Sequence, residues 1–187
     1  MAVQNPSFSD VPCSHPFYGY IQRILTTMVT SGCGGGLYCP DAEVTRRSIA
    51  AFIIRAMGET PATCTGIFSD VPIGSQFCGH IERMAQLAIT SGCTPTTYCP
   101  DLPVTRGQMA KFIRRARAIA DPRWAAWNKP SPTFADVPAS YPHYADIERL
   151  ALEQVTDGCT MTTYCPDISI SRGQMAVFLV RAFPSQW

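Results

Sequence analysis

Short stripes of apolar residues at helical spacing alternate along this chain with polar stretches punctuated by glycine and proline, and the alternation occurs three times. Ile49, Phe52, Ile53 and Ala56 follow the i, i+3, i+4, i+7 spacing of one helix face; Met109, Phe112, Ile113, Ala116 and Met175, Phe178, Leu179, Ala182 repeat it. Each stripe begins at a start signal. Thr105 with Gln108 and Ser171 with Gln174 read as capping boxes, and Thr45 with Ser48 as a weaker version. A shorter stripe precedes each of these, at Ile21, Ile24, Leu25 and Met28, at Ile81, Met84, Ala85 and Ala88, and at Ile147, Leu150 and Ala151, where Gln154 breaks the pattern. Gly32, Gly92 and Gly158 are placed to stop these first helices. The recurring unit is helix, loop, helix.

Self-comparison turns the pattern into a register. F-[SA]-D-V-P anchors begin at Phe8, Phe68 and Phe134, a period of 60 and then 66 residues. In every copy a cysteine lies 25 residues after that Phe and an arginine 38 residues after it: Arg46, Arg106 and Arg172. Extra length falls in the connectors, the longer of which is proline-rich and carries Trp124 and Trp127. The expected organisation is repeat 1 at 1–58, repeat 2 at 59–118, a connector at 119–133 and repeat 3 at 134–187. A unit of about 55 residues with two short helices buries too little surface to stand alone with comfort, so the copies are expected to share one core. The fold class is therefore all-α with long ordered loops, three repeats closing into a pseudo-threefold body; solenoid stacking is the rival geometry.

Composition narrows the function classes. With 46% hydrophobic residues the chain can build a core, and a net charge of +1 argues against a nucleic-acid binder that neutralises many phosphates. No apolar run approaches the ~20 residues of a membrane span. Nine cysteines in 187 residues point instead to an oxidising, extracellular compartment. Six of them form three copies of G-C-x5-C-P: Cys33/Cys39, Cys93/Cys99 and Cys159/Cys165. Zinc pairs are usually two to four residues apart and no histidine lies at a matching offset, so local disulfides are favoured over a metal. Each would contribute roughly 2 kcal/mol in the chain-entropy account. Cys64 and Cys78 flank a segment they could close into a loop, which leaves Cys13 as the odd cysteine, with no disulfide partner apparent in the sequence. The chain starts M-A-V-Q-N-P without a signal-like apolar region and reads as a fragment or as a mature chain with an added Met.

The succession F-S-D-V-P, helix, S-G-C-G-G-G-L-Y-C-P-D-A-E-V-T-R, then an apolar helix ending in R-A resembles the S-layer homology domain. That family's loop reads approximately G-Y-x-D-G-T-F-x-P followed by [IV]-T-R-A-E, typically in three tandem copies, and the resemblance covers nearly the whole chain. It implies a module on the bacterial cell surface that tethers larger proteins to the wall. Such modules hold an anionic, often pyruvylated, wall polysaccharide or a peptidoglycan-linked glycan in grooves between repeats. The basic residue of the T-R-A-E motif, a ligand contact in the family, maps to Arg46, Arg106 and Arg172. This chain departs from the pattern elsewhere: the family's Glu is Ser48, Gln108 and Gln174, the loop Asp is Gly35, Pro95 and Met161, and two further loop positions are cysteines. A Trp frequent before the first helix is Pro16, Gln76 and Pro142.

The three arginines fall at the first helical position, where the helix dipole disfavours a cation by about 0.3–1 kcal/mol. Compensation comes either from Asp10, Asp70 and Asp136, which recur in register, or from an external anion held by guanidinium and by backbone N–H groups of the helix start. Gly107 and Gly173 follow two of the arginines and would let a ligand approach the backbone, whereas Arg47 at that position in repeat 1 adds charge and crowds the approach. Two other recurrent sets, Arg23/Arg83/Arg149 and Arg55/Arg115/Arg181, read as structural. Tyr38, Tyr98 and Tyr164 pack in their loops or stack on a sugar. His15, His80 and His143 share no register, and no nucleophile motif or phosphate loop is present. No enzyme, cofactor or metal site is expected. The competing reading is a self-assembling subunit of an extracellular filament or surface array, motivated by Cys13 and the Trp-bearing connector.

Overall fold

The computed structural model describes residues 7–127 and 129–184. It contains α1 (Tyr18–Thr26), α2 (Arg46–Ala56), α3 (Cys78–Gln86), α4 (Arg106–Ala120), α5 (Tyr144–Leu152) and α6 (Arg172–Ala182), with a 3-10 turn at Pro122–Trp124. Among the described residues β pairing is confined to isolated bridges.

The second helix of each repeat begins where its cap is. Thr45, Thr105 and Ser171 accept hydrogen bonds from the backbone N–H of Ser48, Gln108 and Gln174, and at the last two sites the Gln side chain completes the box by accepting from the N-cap N–H. All twelve stripe residues of α2, α4 and α6 are buried. These helices form the centre of the molecule, α4 touching both α2 and α6.

The main packing partner of each of these helices is the first helix of the next repeat: α2 lies on α3, α4 on α5, and α6 returns to α1. The last contact distinguishes a ring from a solenoid, which would leave α1 and α6 at opposite ends. A closed triangle of backbone hydrogen bonds marks the axis: Val44 N–H donates to Ile170 C=O (3.0 Å), Ile170 N–H to Val104 C=O (2.9 Å) and Val104 N–H to Val44 C=O (2.9 Å). Each repeat so supplies one donor and one acceptor to a pattern that two copies cannot complete.

The first helices end earlier than the glycines suggest. α1, α3 and α5 stop at Thr26, Gln86 and Leu152, and the turn-out is made by Met28, Ala88 and Gln154 in left-handed conformation (φ 60°, 54° and 56°). Met28 is accordingly 82% exposed and belongs to no apolar face. Gln154 is the ordinary polar occupant of a surface turn, which explains the break in the stripe. Gly32, Gly92 and Gly158 serve the loop beyond: a Cβ there would lie 2.8–2.9 Å from a ring carbon of Phe8, Phe68 or Phe134. Their backbone takes positive φ as well (95°, 82° and 91°), so glycine is required twice over.

Four disulfides join Cys33–Cys39, Cys93–Cys99, Cys159–Cys165 and Cys64–Cys78. Cys13 is exposed, belongs to none of them and lies against the Tyr18 hydroxyl. The Cys64–Cys78 bond ties the segment entering repeat 2 to the start of α3. Beside it the buried Glu82 carboxylate accepts from the backbone N–H of Thr65, Gly66 and Ile67. In repeat 3 Glu148 accepts from Thr133 N–H, and Tyr144 donates to the Lys129 carbonyl (2.6 Å) where repeat 2 has the disulfide. α4 runs to Ala120, past the repeat boundary expected at 118. Trp124 then seals the connector onto the core, buried beneath the Arg117 guanidinium.

Candidate functional site

Each recurrent arginine is the first residue of its helix, and its side chain enters the neighbouring repeat. Arg46 Nε donates to the Tyr98 carbonyl (2.7 Å), Arg106 Nε to that of Tyr164 (2.8 Å) and Arg172 Nε to that of Tyr38 (2.8 Å). The same guanidiniums lie over the rings of those tyrosines, 4.7 Å from each centroid. The tyrosines reciprocate: Tyr98, Tyr164 and Tyr38 hydroxyls donate to the carbonyls of Arg46, Arg106 and Arg172 at 2.8–2.9 Å. The loop tyrosines are fully buried, and desolvation pushes their phenol pKa well above the ordinary value. They are packing residues of the inter-repeat seam and face no sugar.

The aspartates offered as internal partners form no ion pair with these arginines: Asp136 and Asp10 act on Arg106 and Arg172 only through their field. Asp10, Asp70 and Asp136 accept from the backbone N–H groups of Tyr38 and Cys39, Tyr98 and Cys99, and Tyr164 and Cys165 in their own repeats, at 2.7–2.9 Å. They hold the stapled loops. Burial alone would raise the Asp10 carboxyl, but these N–H groups outweigh it and keep its pKa below the ordinary value. The N–H groups of the helix starts are likewise occupied: Arg46 and Arg47 donate to Leu102 and Pro100, Arg106 and Gly107 to Ile168 and Pro166, Arg172 and Gly173 to Ala42 and Pro40. The helix starts thus offer no free N–H at these positions to an anion.

The glycines after the arginines are also filled by protein. A Cβ at Gly107 would lie 3.1 Å from both His143 and Tyr141, and one at Gly173 would overlap the Phe17 ring. Both glycines admit the neighbouring repeat. Arg47, at the same position in repeat 1, forms an ion pair with Asp101 of repeat 2 and lines a separate cleft with Asp70 and Pro100. It leaves the surroundings of Arg46 unobstructed.

One terminal nitrogen of each guanidinium is left unsatisfied. Arg46, Arg106 and Arg172 are 6%, 5% and 9% exposed, and the Nη2 atom of each is buried without a hydrogen-bond partner. None of the three forms an ion pair among the described residues. Desolvation depresses the pKa of Arg106 and Arg172, the sign of a cation held against its solvation preference.

Each of these arginines lines a groove that draws on all three repeats. Arg172 of repeat 3 meets Thr30, Ser48 and Phe52 of repeat 1 with Phe77 of repeat 2, around about 150 Å³. Arg46 of repeat 1 meets Thr90, Gln108, Lys111 and Phe112 of repeat 2 with His143 of repeat 3, around about 220 Å³. Arg106 of repeat 2 meets Thr156, Gln174 and Phe178 of repeat 3 with Phe17 of repeat 1, around about 300 Å³. The arginine, the threonine and the helix phenylalanine recur in all three, so the grooves share one plan, while Ser48 replaces the Gln of the other two and His143 replaces their Phe. The other arginine sets hold the scaffold: Arg55 and Arg115 donate to the carbonyls of Val29 and Ile89, while Arg83 pairs with Glu59. Lys111 and His143 had no sequence signal, because neither recurs and His143 reaches its groove only through packing.

Comparison with known proteins accords with this architecture. The family model of the S-layer homology domain matches residues 7–50 and 67–110, the first two repeats through the first turns of α2 and α4. A cell surface protein of Thermoanaerobacter kivui is 25% identical over 122 residues, which is 63% of this chain and 16% of that protein. The chain thus spans a small part of the relative's length.

Proposed function

We propose that the chain is a three-repeat S-layer homology module, its third copy built on the same caps, staple and arginine as the two matched segments, and that it anchors a larger protein to the bacterial wall. The ligand is an anionic cell-wall glycan seated in the inter-repeat grooves. Arg46, Arg106 and Arg172 are its charged contacts, and Gly107 and Gly173 take part by letting the repeats close around those grooves. The module is non-catalytic and works at the cell surface. Among the described residues no helix is long and apolar enough to cross a membrane, so in this reading attachment to the envelope runs through the glycan.

The observation that carries the reading is the set of three buried Nη2 atoms without partners. Leaving a buried charged donor unsatisfied costs on the order of 1–3 kcal/mol, and the chain does so three times in register, each time at a polar groove. A carboxylate or phosphate on a glycan would supply the missing acceptor and the counter-charge together. The test is sedimentation of the chain with purified wall polysaccharide. Binding is expected to weaken with added salt and to fall at least about tenfold in Arg106→Lys plus Arg172→Lys, which keeps the charge and removes the Nη2 donor, with helical circular dichroism retained. Absence of binding to any wall polysaccharide fraction would overturn the proposal.

A further inference from the structure

The three grooves share a plan but differ in charge at positions that are equivalent by register. Beside Arg172 lies Arg55, already donating to the Val29 carbonyl and stacked near Phe77. Beside Arg106 lies Arg181, which Asp157 neutralises through an ion pair of 2.7 Å; Asp157 stands where the other repeats have Ser31 and Ser91. Beside Arg46 lies Lys111, where the other repeats have Ala51 and Val177. Each groove draws one residue at a further position from the repeat that follows, and here it is His143 in place of Phe17 and Phe77.

Lys111 has no hydrogen-bond or ion-pair partner among the described residues, and the groups around it are mostly cationic. From α4 it feels Arg114 and Arg115, from α2 Arg46, and from α5 the carboxylate of Asp146. That carboxylate is already engaged: Arg114 Nε bonds it, and His143 Nδ1 stands 3.8 Å from its other oxygen. Desolvation first, then Arg115, Arg46 and Arg114, hold the Lys111 pKa below its ordinary value. Two cations from different repeats, one fixed by stacking and one on a flexible stem, therefore face a single polar cavity with their counter-charge unfilled.

We propose that the groove of Arg46 is the chain's site for a doubly charged, phosphate-type anion and that Lys111 sets this preference, leaving the grooves of Arg172 and Arg106 to singly charged groups. The inference rests on the reading of the grooves as glycan-anion sites and divides the work between them. The two oxygens of a carboxylate can reach both donors, but its single charge leaves one of the two positive charges uncompensated, whereas a tetrahedral dianion matches both.

The test is titration of the whole isotope-labelled chain with inorganic phosphate at pH 7.5, and separately with acetate at matched ionic strength, following the Nε–H signals of the three arginines by NMR. Phosphate is expected to saturate the Arg46 signal at a concentration about three- to tenfold below that needed at Arg172 or Arg106, and acetate to show no such order. Lys111→Ala, which installs the residue of the equivalent position in repeat 1, should bring Arg46 to the level of Arg172. Ala51→Lys should raise the phosphate response at Arg172 by a similar factor. A phosphate response equal at all three arginines, or unchanged at Arg46 in Lys111→Ala, would overturn the inference. Binding of wall polysaccharide with no phosphate preference sinks the inference alone, while a phosphate preference without polysaccharide binding sinks the wall-anchoring reading alone.

Discussion

At the scale of single residues, most of what recurs in this sequence serves the seam between repeats. The arginines were legible as special because they recur at a helix start where the dipole opposes them. Their partners were not, because a register within one repeat says nothing of which neighbour a side chain enters. Asp10, Asp70 and Asp136 show the same limit: their period matches the arginines', yet they bind loop N–H groups of their own repeat. Gly107 and Gly173 give a graded test of seam packing. In Gly173→Ala the new methyl overlaps the Phe17 ring, and unfolding in urea should show a loss of about 1–3 kcal/mol. In Gly107→Ala the nearest atoms are 3.1 Å away, and the helix propensity gained, up to ~1 kcal/mol, should leave stability nearly unchanged. His80 gives a pH test. Burial, then Arg55, lowers its pKa to about 4, so the unfolded chain binds its proton first, at about 6.5. Its contribution to stability is complete above pH 6.5 and declines as pH falls towards 4. Denaturation midpoints measured across that window should show this slope, and His80→Gln should flatten it.

At the scale of elements, the second helices could be read almost residue by residue, since cap, box and stripe agree. The first helices could be read only in their middle. Their ends depend on left-handed turns at Met28, Ala88 and Gln154, three side-chain types that share no turn signature. The staples were legible from spacing alone in the three short loops, and Cys64–Cys78 from the loop it could close. Its neighbour Glu82 was not, because a lone glutamate on a helix gives no hint that three backbone N–H groups converge on it. The two kinds of staple should differ in worth. In the chain-entropy account a separation of 14 residues is worth about 3 kcal/mol and one of 6 about 2 kcal/mol. Cys64→Ala with Cys78→Ala should therefore lower the thermal midpoint more than Cys33→Ala with Cys39→Ala, as read by calorimetry.

At the scale of the whole molecule, closure turns three weak units into one body. Each groove needs a loop and helix from one repeat, an arginine from the one before and a ring from the one after, so no repeat carries a groove alone. A chain ending at residue 120 lacks α5 and α6 and the tyrosine that receives Arg106. It should show no cooperative thermal transition, whereas the full chain should unfold in one step. The threefold recurrence pointed to such a body, and the return of α6 to α1 distinguishes it from a stack. What the grooves hold is the central claim, and it is tested most directly by titrating the labelled chain with wall polysaccharide before and after chemical removal of its acidic substituents, following the three arginine Nε–H signals. The native polymer should shift all three, and the stripped polymer none. Equal shifts with both polymers, or none with either, would contradict the assignment of the buried guanidiniums to an anionic glycan.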